Sequence, residues 1–526
     1  MPFGSRVRER GRPAGRRRAA GRSLAALVCG ALPAFAFPAP GLWWWAYLAL
    51  VPWLLLIRTA PGPRRAAVDG WCGGAGFVLA VHHWLLPSLH VFLLPLASLL
   101  GLLWLPWAVL VRSLLGGDRT PARAAVALVA VPCGWLLIEL VRSWEGLGGP
   151  WGLLGASQWE VPAALRLASV GGVWLVSLLV VAVNTAVALL VAAPGLRTVG
   201  VAGLAACALV AGVAGWGVGA PGTRGTVRVA FVQPGVVDGA ERRFDRAEEL
   251  TRSLVGQRVD LVVWGESGVG ADPVGRPELA ARLTALARAV DAPLLVNVDA
   301  RGADRPGIFK SAVLVAPTGL TGQRYDKMRL VPFGEYVPAR AVLGWVTSAG
   351  KAADEDRRRG TAPVVMELPA AGDAPGLRVG PLICFESAFP DMSRRLVRDG
   401  AGLLVVQSAT STFQDSWAPA QHASLAALRA AETGRPVVHA TLTGVSAAYG
   451  PDGRRIGPAL GTEASAVAVR ELPLSSATTG YVRWGDWPVY GTLLVLGAVC
   501  AAAGAGALRR RPGAGSRGPR ARTARG

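Results

Sequence analysis

The sequence predicts a multi-pass α-helical membrane domain of about eight spans joined to a layered α/β domain, and three observations carry that expectation. Long apolar blocks fill residues 23–219 and return at 489–508. Short β-rich runs alternate with helical stretches between residues 226 and 480. Arginines crowd the two tails and alternate connections between apolar blocks, the bias that orients membrane helices. With 52% hydrophobic and 17% charged residues over 526 positions, the chain is too apolar for an ordinary soluble protein and too long for one compact domain.

The expected organisation is a basic tail at 1–22, seven spans within 23–219, a water-facing domain at 226–480, an eighth span at 489–508 and a basic tail at 509–526. A helix needs about 20 mainly apolar residues to cross a bilayer. The blocks 23–40, 42–57, 66–86, 91–111, 124–141, 168–192, 199–219 and 489–508 meet or approach that length. Trp43, Trp44, Trp45, Trp84, Trp104 and Trp107 cluster near their ends, where an interfacial belt would stand. Placing the N-terminus inside puts 22 Lys and Arg in the tails and inner connections, against only Arg142 and Arg166 in the short outer ones. Both tails are therefore expected in the cytoplasm and residues 226–480 outside it. The basic start and Ala34-Phe35-Ala36 of the first block also match a signal peptide, whose cleavage would leave the remaining topology unchanged.

The net charge of +21 raises nucleic acid as a partner, so its distribution matters. The two tails supply +14, while residues 226–480 hold 29 basic and 27 acidic side chains. That pattern suits an anionic membrane face and predicts no nucleic-acid groove. Five of six cysteines, Cys29, Cys72, Cys133, Cys207 and Cys500, lie in apolar blocks, which leaves Cys384 alone in the water-facing part. It cannot form a disulfide within that domain, and no Cys or His spacing resembles a zinc site, so no metal or cofactor is expected.

Two further segments stand out. The outer connection 142–167 carries Gly149-Pro150-Trp151-Gly152-Leu153-Leu154-Gly155, which composition alone reads as an interfacial anchor, and Glu139 beside Arg142 should pair locally or line a cavity. Residues 339–349, with Val342, Leu343, Trp345 and Val346, fit either a lipid-touching lid or an ordinary amphipathic helix.

In the water-facing domain, runs at 227–232, 261–264, 294–297, 312–315, 382–383, 403–406 and 437–440 read as strands, and 275–290 and 420–433 as helices, the second ended by Gly434. Glu266 and Cys384 directly follow strand runs, and Lys327 sits in Tyr325-Asp326-Lys327-Met328-Arg329-Leu330-Val331-Pro332-Phe333-Gly334-Glu335. Singly, each has a plain structural role open to it: a helix cap, a core thiol, a surface charge. The chain has only three Lys, at 310, 327 and 351, against 52 Arg, which draws attention to Lys327 as a compact ammonium. Together the three residue types fit acyl transfer. A thiol needs a base to become a nucleophile, a carboxylate whose pKa is raised by burial can serve, and a fixed cation with a backbone N–H after the nucleophile can hold the oxyanion. His422 and His439 sit in no Cys–His motif.

The order Glu, Lys, Cys, within W-G-E-S, Y-D-K-x-x-L-V-P-F-G-E-Y-V-P and I-C-F-E, resembles the nitrilase (carbon-nitrogen hydrolase) superfamily, and the long P-F-G-E-Y-V-P form resembles the apolipoprotein N-acyltransferases. The likeness extends to G-P-W-G-L-L-G-A-S-Q at 149–158, Gly171-Gly172-Val173 with Asn184, Gln421-His422 and Gly434-Arg435-Pro436, so it spans nearly the whole chain. It implies a nitrilase-like αββα sandwich on the outer membrane face. Glu266 would be general base, Lys327 the stabilising cation, Cys384 the acyl-accepting nucleophile, and Glu335 and Glu386 the acids that orient the site. It further implies a ping-pong reaction, in which a phospholipid acyl donor charges Cys384 and a diacylated lipoprotein acceptor takes the chain on its N-terminal amine. Phe385 stands where family members often carry Tyr, and Ser408-Ala409-Thr410-Ser411-Thr412-Phe413 where they carry an Asn-Asp-Ala-Trp run. Two other readings remain at this point: a membrane-tethered amidase or nitrilase-type hydrolase, and a non-catalytic membrane scaffold for a polyprenol-phosphate glycosyltransferase.

Overall fold

A computed structural model describes residues 12–117, 120–192, 194–343, 355–368 and 376–509. The outer parts of both tails, Lys351, and Trp345 with the rest of the expected lid beyond residue 343 lie outside the described residues.

Among the described residues, six helices are long and apolar enough to cross a membrane: Arg17–Ala36, His83–Gly101, Pro121–Arg142, Pro162–Ala192, Pro194–Gly217 and Trp487–Ala505. The shorter apolar helices Trp43–Arg58 and Trp104–Leu115 and the helix Pro63–Val81 pack among them. The apolar run at 91–111 is not one helix: Leu93–Gly101 ends and Trp104–Leu115 begins across a turn. Gly101 lies backbone to backbone with Pro63–Val81, where an added Cβ would sit 2.9 Å from the Trp71 carbonyl oxygen.

Trp104 and Trp107 are core residues instead of belt residues. They pack with Trp53, Trp135 and Phe77, with ring centroids 5.2 Å apart for Trp53–Trp107 and 5.5 Å for Trp104–Trp135. A Trp can be buried this way when its N–H finds an acceptor, and Trp107 Nε1 donates to the Val131 carbonyl at 3.0 Å. Trp43 and Trp44 do stay exposed. Buried Asn184 ties Pro162–Ala192 to the second helix by accepting from Leu50 N at 2.9 Å and donating to Ala46 O at 2.8 Å.

One end of the bundle is rich in arginine. Arg22 and Arg65 both bond buried Asp69 (2.8 and 2.6 Å), while Arg58 and Arg112 donate to the carbonyls of Leu115 and Ala60. The far end of Pro63–Val81 instead meets the α/β region, where His83 stacks on Trp417 at 4.4 Å and Trp84 on Phe413 at 5.1 Å.

Among the described residues the α/β region holds eleven strands: β1 Thr223–Gln233, β2 Leu261–Trp264, β3 Leu294–Arg301, β4 Ile308–Ala316, β5 Gly319–Asp326, β6 Met366–Glu367, β7 Arg378–Ile383, β8 Leu403–Ser408, β9 Val437–Thr441, β10 Ala447–Tyr449 and β11 Ala466–Ser475. They form a six-stranded sheet, β11-β1-β2-β3-β4-β5, and a five-stranded sheet, β10-β9-β8-β7-β6. Side-chain alternation along each strand explains the layering. Val227, Val229 and Phe231 of β1 point between the sheets, where they meet Ile383, Leu403, Val405 and Val438. Ala230 and Val232 point the other way, onto Phe244, Ala247, Leu283 and Leu286 of the helices Ala240–Arg252 and Pro277–Ala289. On the second sheet, Leu404 and Val406 face the helices Pro390–Arg398 and Ala418–Thr433, and this layer shares one core with the membrane bundle. The result is an αββα sandwich whose five-stranded side rests on the bundle. Gly434, in left-handed conformation (φ 65°), closes Ala418–Thr433 as the sequence suggests.

Candidate active site

Three loops at strand ends converge between the sheets. Glu266 follows β2 after Gly265, whose backbone lies so close to the neighbouring sheet that a Cβ would sit 2.0 Å from Leu442 N. Lys327 follows β5, and its N–H donates to Lys310 O at 2.9 Å. Cys384 follows β7 as the first residue of the 3-10 turn Cys384–Ala388, with φ at 53°. A non-glycine residue there stores strain of order 1–3 kcal/mol and needs surroundings that enforce it. Glu386 provides them. Its Oε2 accepts from Ile383 N at 2.8 Å, and its Oε1 accepts from the Tyr325 hydroxyl (2.7 Å), Met328 N (2.7 Å) and Arg329 N (3.1 Å). One carboxylate thereby joins the thiol's turn to the lysine's loop.

The Lys327 ammonium is fully buried and bonds Glu266 Oε1 at 3.1 Å and Glu335 Oε1 at 2.7 Å. Glu335 Oε2 also accepts from Val331 N at 2.8 Å, which closes the loop that carries Lys327. A second ammonium, Lys310 on β4, bonds the same Glu266 Oε1 at 2.8 Å, with Glu335 at 3.3 Å and Asp299 at 3.7 Å. Cys384 is half-buried beside this group, with its Sγ 4.0 Å from the Ala409 carbonyl.

The electrostatics differ from the sequence expectation at one point. Burial disfavours charge on Glu266, but Lys310, Lys327 and a hydrogen bond from Cys384 outweigh it and hold the carboxyl down at about 2. The expected upward shift by burial is thus reversed, because two cations share one carboxylate. The thiol moves the other way: burial, then the negative charge of Glu266, push Cys384 up to about 12, against the opposing pull of Lys327. For both lysines burial works against the ammonium, yet Glu266 and Glu335 more than compensate and hold them above the ordinary lysine range. At neutral pH the ground state is a carboxylate, two ammoniums and a neutral thiol.

His422, which the sequence left without a role, contacts the backbone of the Cys384 turn. Its Nε2 lies 3.0 Å from Cys384 O and 3.0 Å from Ser387 Oγ, and its Nδ1 lies 3.1 Å from Ser408 Oγ. Burial lowers His422 to about 4, so the ring is neutral. Lys310 is the other residue that sequence reasoning passed over, although the scarcity of lysine had flagged it equally with Lys327. Phe385 packs edge-on against Phe389 at 4.9 Å and projects toward the bundle.

There it meets the glycine-rich outer connection. Gly149 (φ 73°) lies under both rings, where an added Cβ would sit 2.7 Å from Phe385 Cζ and 2.8 Å from Phe389 Cζ. Trp151 stacks edge-on against His422 at 5.4 Å. The segment is therefore a bracket between bundle and sandwich, not a lipid anchor. Glu139 and Arg142 hold it in place: Glu139 Oε1 accepts from Leu154 N at 2.7 Å and from Trp135 Nε1 at 2.9 Å, while Arg142 donates to the Trp151 carbonyl at 2.9 Å. The Ser411–Phe413 turn packs on Trp84 from the other side. Among the described residues, no group of three or more His, Cys, Asp or Glu is arranged to hold a metal ion.

Comparison with known proteins agrees with this architecture. Residues 29–186 match the family model of the apolipoprotein N-acyltransferase N-terminal domain, and residues 228–480 that of carbon-nitrogen hydrolases. An apolipoprotein N-acyltransferase of Azotobacter vinelandii is 34% identical over 509 residues, covering 90% of this chain and 93% of its own. One from Pseudomonas aeruginosa is 32% identical over 507 residues, covering 90% and 94%. A solved nitrilase-superfamily protein of Saccharomyces cerevisiae is similar over 48% of this chain and 91% of its own, with 18% identity and a TM-score of 0.38. With a relative this similar along nearly its whole length, the chain belongs to the apolipoprotein N-acyltransferase family.

Proposed function

We propose that this protein moves a fatty acyl chain from a membrane phospholipid, through a thioester on Cys384, to the N-terminal amine of diacylglyceryl-cysteine lipoproteins. The observation that carries the reading is the meeting of Glu266, Lys327 and Cys384 in one buried cluster, on the side of the sandwich that rests on an apolar bundle.

The opposite shifts of Glu266 and Cys384 leave a carboxylate beside a neutral thiol. A thiol held near 12 leaves almost no thiolate in waiting, so its proton passes to Glu266 as sulfur attacks the ester carbonyl. The carbonyl π pair moves to oxygen, and Lys327 with the Phe385 N–H stabilises that oxyanion. Its collapse breaks the ester C–O bond, and the lysophospholipid leaves with the proton from Glu266. In the second half the acceptor amine attacks the thioester, gives a proton to Glu266 and expels the sulfur, which takes that proton back. Glu335 and Glu386 act as positioning residues, the first on Lys327 and the second on both the lysine loop and the nucleophile turn.

Both termini are cytoplasmic and the sandwich is extracytoplasmic in this reading. Support comes from Arg58, Arg65 and Arg112, which gather at the bundle end remote from the sandwich.

The test is intact-mass analysis of the purified full-length protein after mixing with phospholipid. One fatty acyl adduct that maps to Cys384, and that moves to a diacylated lipopeptide on addition, is the expected result. An unmodified protein overturns the reading, and release of free fatty acid in place of triacylated peptide would make it a hydrolase.

A further inference from the structure

Against the loop that carries Lys327 and Glu335 lies a cavity of about 520 Å³ lined by Phe309, Leu330, Tyr336, Asp356 and three consecutive arginines, Arg357, Arg358 and Arg359. Its wall is fastened to the catalytic loops by backbone: Arg357 N donates to Glu335 O, Arg358 N to Ile308 O and Gly360 N to Lys327 O, each at 2.8 Å. The three guanidiniums differ in what already holds them. Arg357 pairs with Asp299 at 3.3 Å, the carboxylate that also faces Lys310. Arg359 lies 5.2 Å from the Tyr336 ring and bonds Glu145 of the outer connection between Pro121–Arg142 and Pro162–Ala192, so the cavity opens where the bundle ends. Asp356, the one acid in the lining, is occupied by Arg340 at 2.5 Å and by Val337 N at 3.0 Å. Arg358 is exposed, and among the described residues its side chain forms no hydrogen bond or salt bridge, the charge of Asp356 acting on it only at longer range.

We propose that this cavity seats the phosphate of the phospholipid donor, with Arg358 as the cation that reads it. The inference rests on the acyl-transfer reaction above and adds a division of labour to it. A glycerophospholipid carries an anionic phosphodiester close to its reactive ester, whereas a diacylglyceryl-cysteine carries two esters and no phosphate. A guanidinium matches phosphate geometry with paired N–H donors. Phe309, Leu330 and Tyr336 give the glycerol carbons an apolar wall. The cavity therefore serves the first half-reaction and not the second, so one active site can accept two diacyl substrates and tell donor from acceptor by charge.

The test uses the full-length enzyme in detergent micelles with a diacyl phosphatidylglycerol donor, and follows Cys384 acylation by mass. Arg358→Gln should raise KM for this donor about 10- to 100-fold, the worth of a charge-assisted hydrogen bond, with kcat nearly unchanged. Arg358→Lys should recover part of the loss. Transfer from enzyme already acylated to a diacylated lipopeptide should proceed at the wild-type rate. An unchanged KM, or equal slowing of both half-reactions, overturns the assignment. So does equal loss with neutral diacylglycerol as donor, which has no phosphate to read. Competitive inhibition of acylation by micromolar inorganic phosphate would assign the cavity to free phosphate instead. A wild-type enzyme that takes no acyl chain from any phospholipid would sink the reaction itself, whereas normal acylation with an indifferent Arg358 sinks only the cavity.

Discussion

The two sheets of the sandwich have different outer neighbours. The six-stranded sheet is backed by its own helices and water, while the helices on the five-stranded sheet are buried against the membrane bundle. Cys384 comes from the bundle-side sheet, Glu266 and Lys327 from the far one. The position of the sulfur against the bundle is therefore set by the bundle-side layer, and the charges beside it come from the other layer. Among the contacts that cross these boundaries, two use buried carboxylates. Glu386 joins the layers at the site, and Glu432 joins the bundle-side layer to the bundle: it accepts from Val173 N at 2.8 Å, where Pro162–Ala192 breaks at Gly171 and Gly172, and from Arg429 at 2.9 Å. Arg429 in turn donates to the Ala388 carbonyl in the nucleophile turn at 2.8 Å.

The largest effect should come from cutting the bundle contact. Glu432→Ala leaves Arg429 buried without its carboxylate, a loss of about 3–5 kcal/mol. The thermal midpoint of the full-length protein should fall and Cys384 acylation with it. Glu432→Leu combined with Arg429→Met should restore the midpoint, and an unchanged midpoint in the single variant would mean the layers are not coupled there. Glu386→Gln is the matching cut between the sheets. It keeps most of the volume but turns an amide N–H₂ toward backbone donors, at a cost of about 1–3 kcal/mol. Acylation should slow about 10- to 100-fold, with a smaller change in stability than Glu432→Ala gives, and the reverse ranking would refute this assignment of roles.

The smallest effect lies wholly within the outer layer. As the proposed base Glu266 has to be ionised, and wild-type acylation should show no acid limb through mildly acidic pH because the carboxyl is held near 2. Lys310→Met removes the first of its cations, so burial is less opposed and the folded pKa rises. Activity should then fall as pH drops through that raised value, which moves the acid limb of the pH–rate profile upward, with a loss of roughly tenfold or less at pH 7. A profile that does not move would show Lys327 alone to set the carboxylate.

The catalytic candidates were legible because each follows a feature that sequence displays. Glu266 and Cys384 come at the ends of short apolar runs read as strands, and Lys327 is conspicuous in an arginine-rich chain. Lys310 was passed over because it falls two residues before the run read as a strand at 312–315, whereas the strand begins at Ile308 and carries Lys310 into the site. The strands β5 and β11 were missed because Gly319–Asp326 is polar and glycine-containing and Ala466–Ser475 lacks clean alternation. Within the bundle, helices that are apolar all round give no periodicity to show which face is packed, so Trp104 and Trp107 could not be told from belt residues. Composition likewise could not say that Gly149 lies against two rings some 235 residues further along the chain.

The two lysines of the site have a consequence for selectivity. An acyl thioester on Cys384 would stand beside two primary amines of its own chain, either of which could capture the acyl group as a dead-end amide. Held protonated by Glu266 and Glu335, both nitrogens lack the lone pair that such self-acylation requires. In the proposed reaction the carboxylates would thus protect the activated chain from its own enzyme until an unprotonated amine arrives from outside.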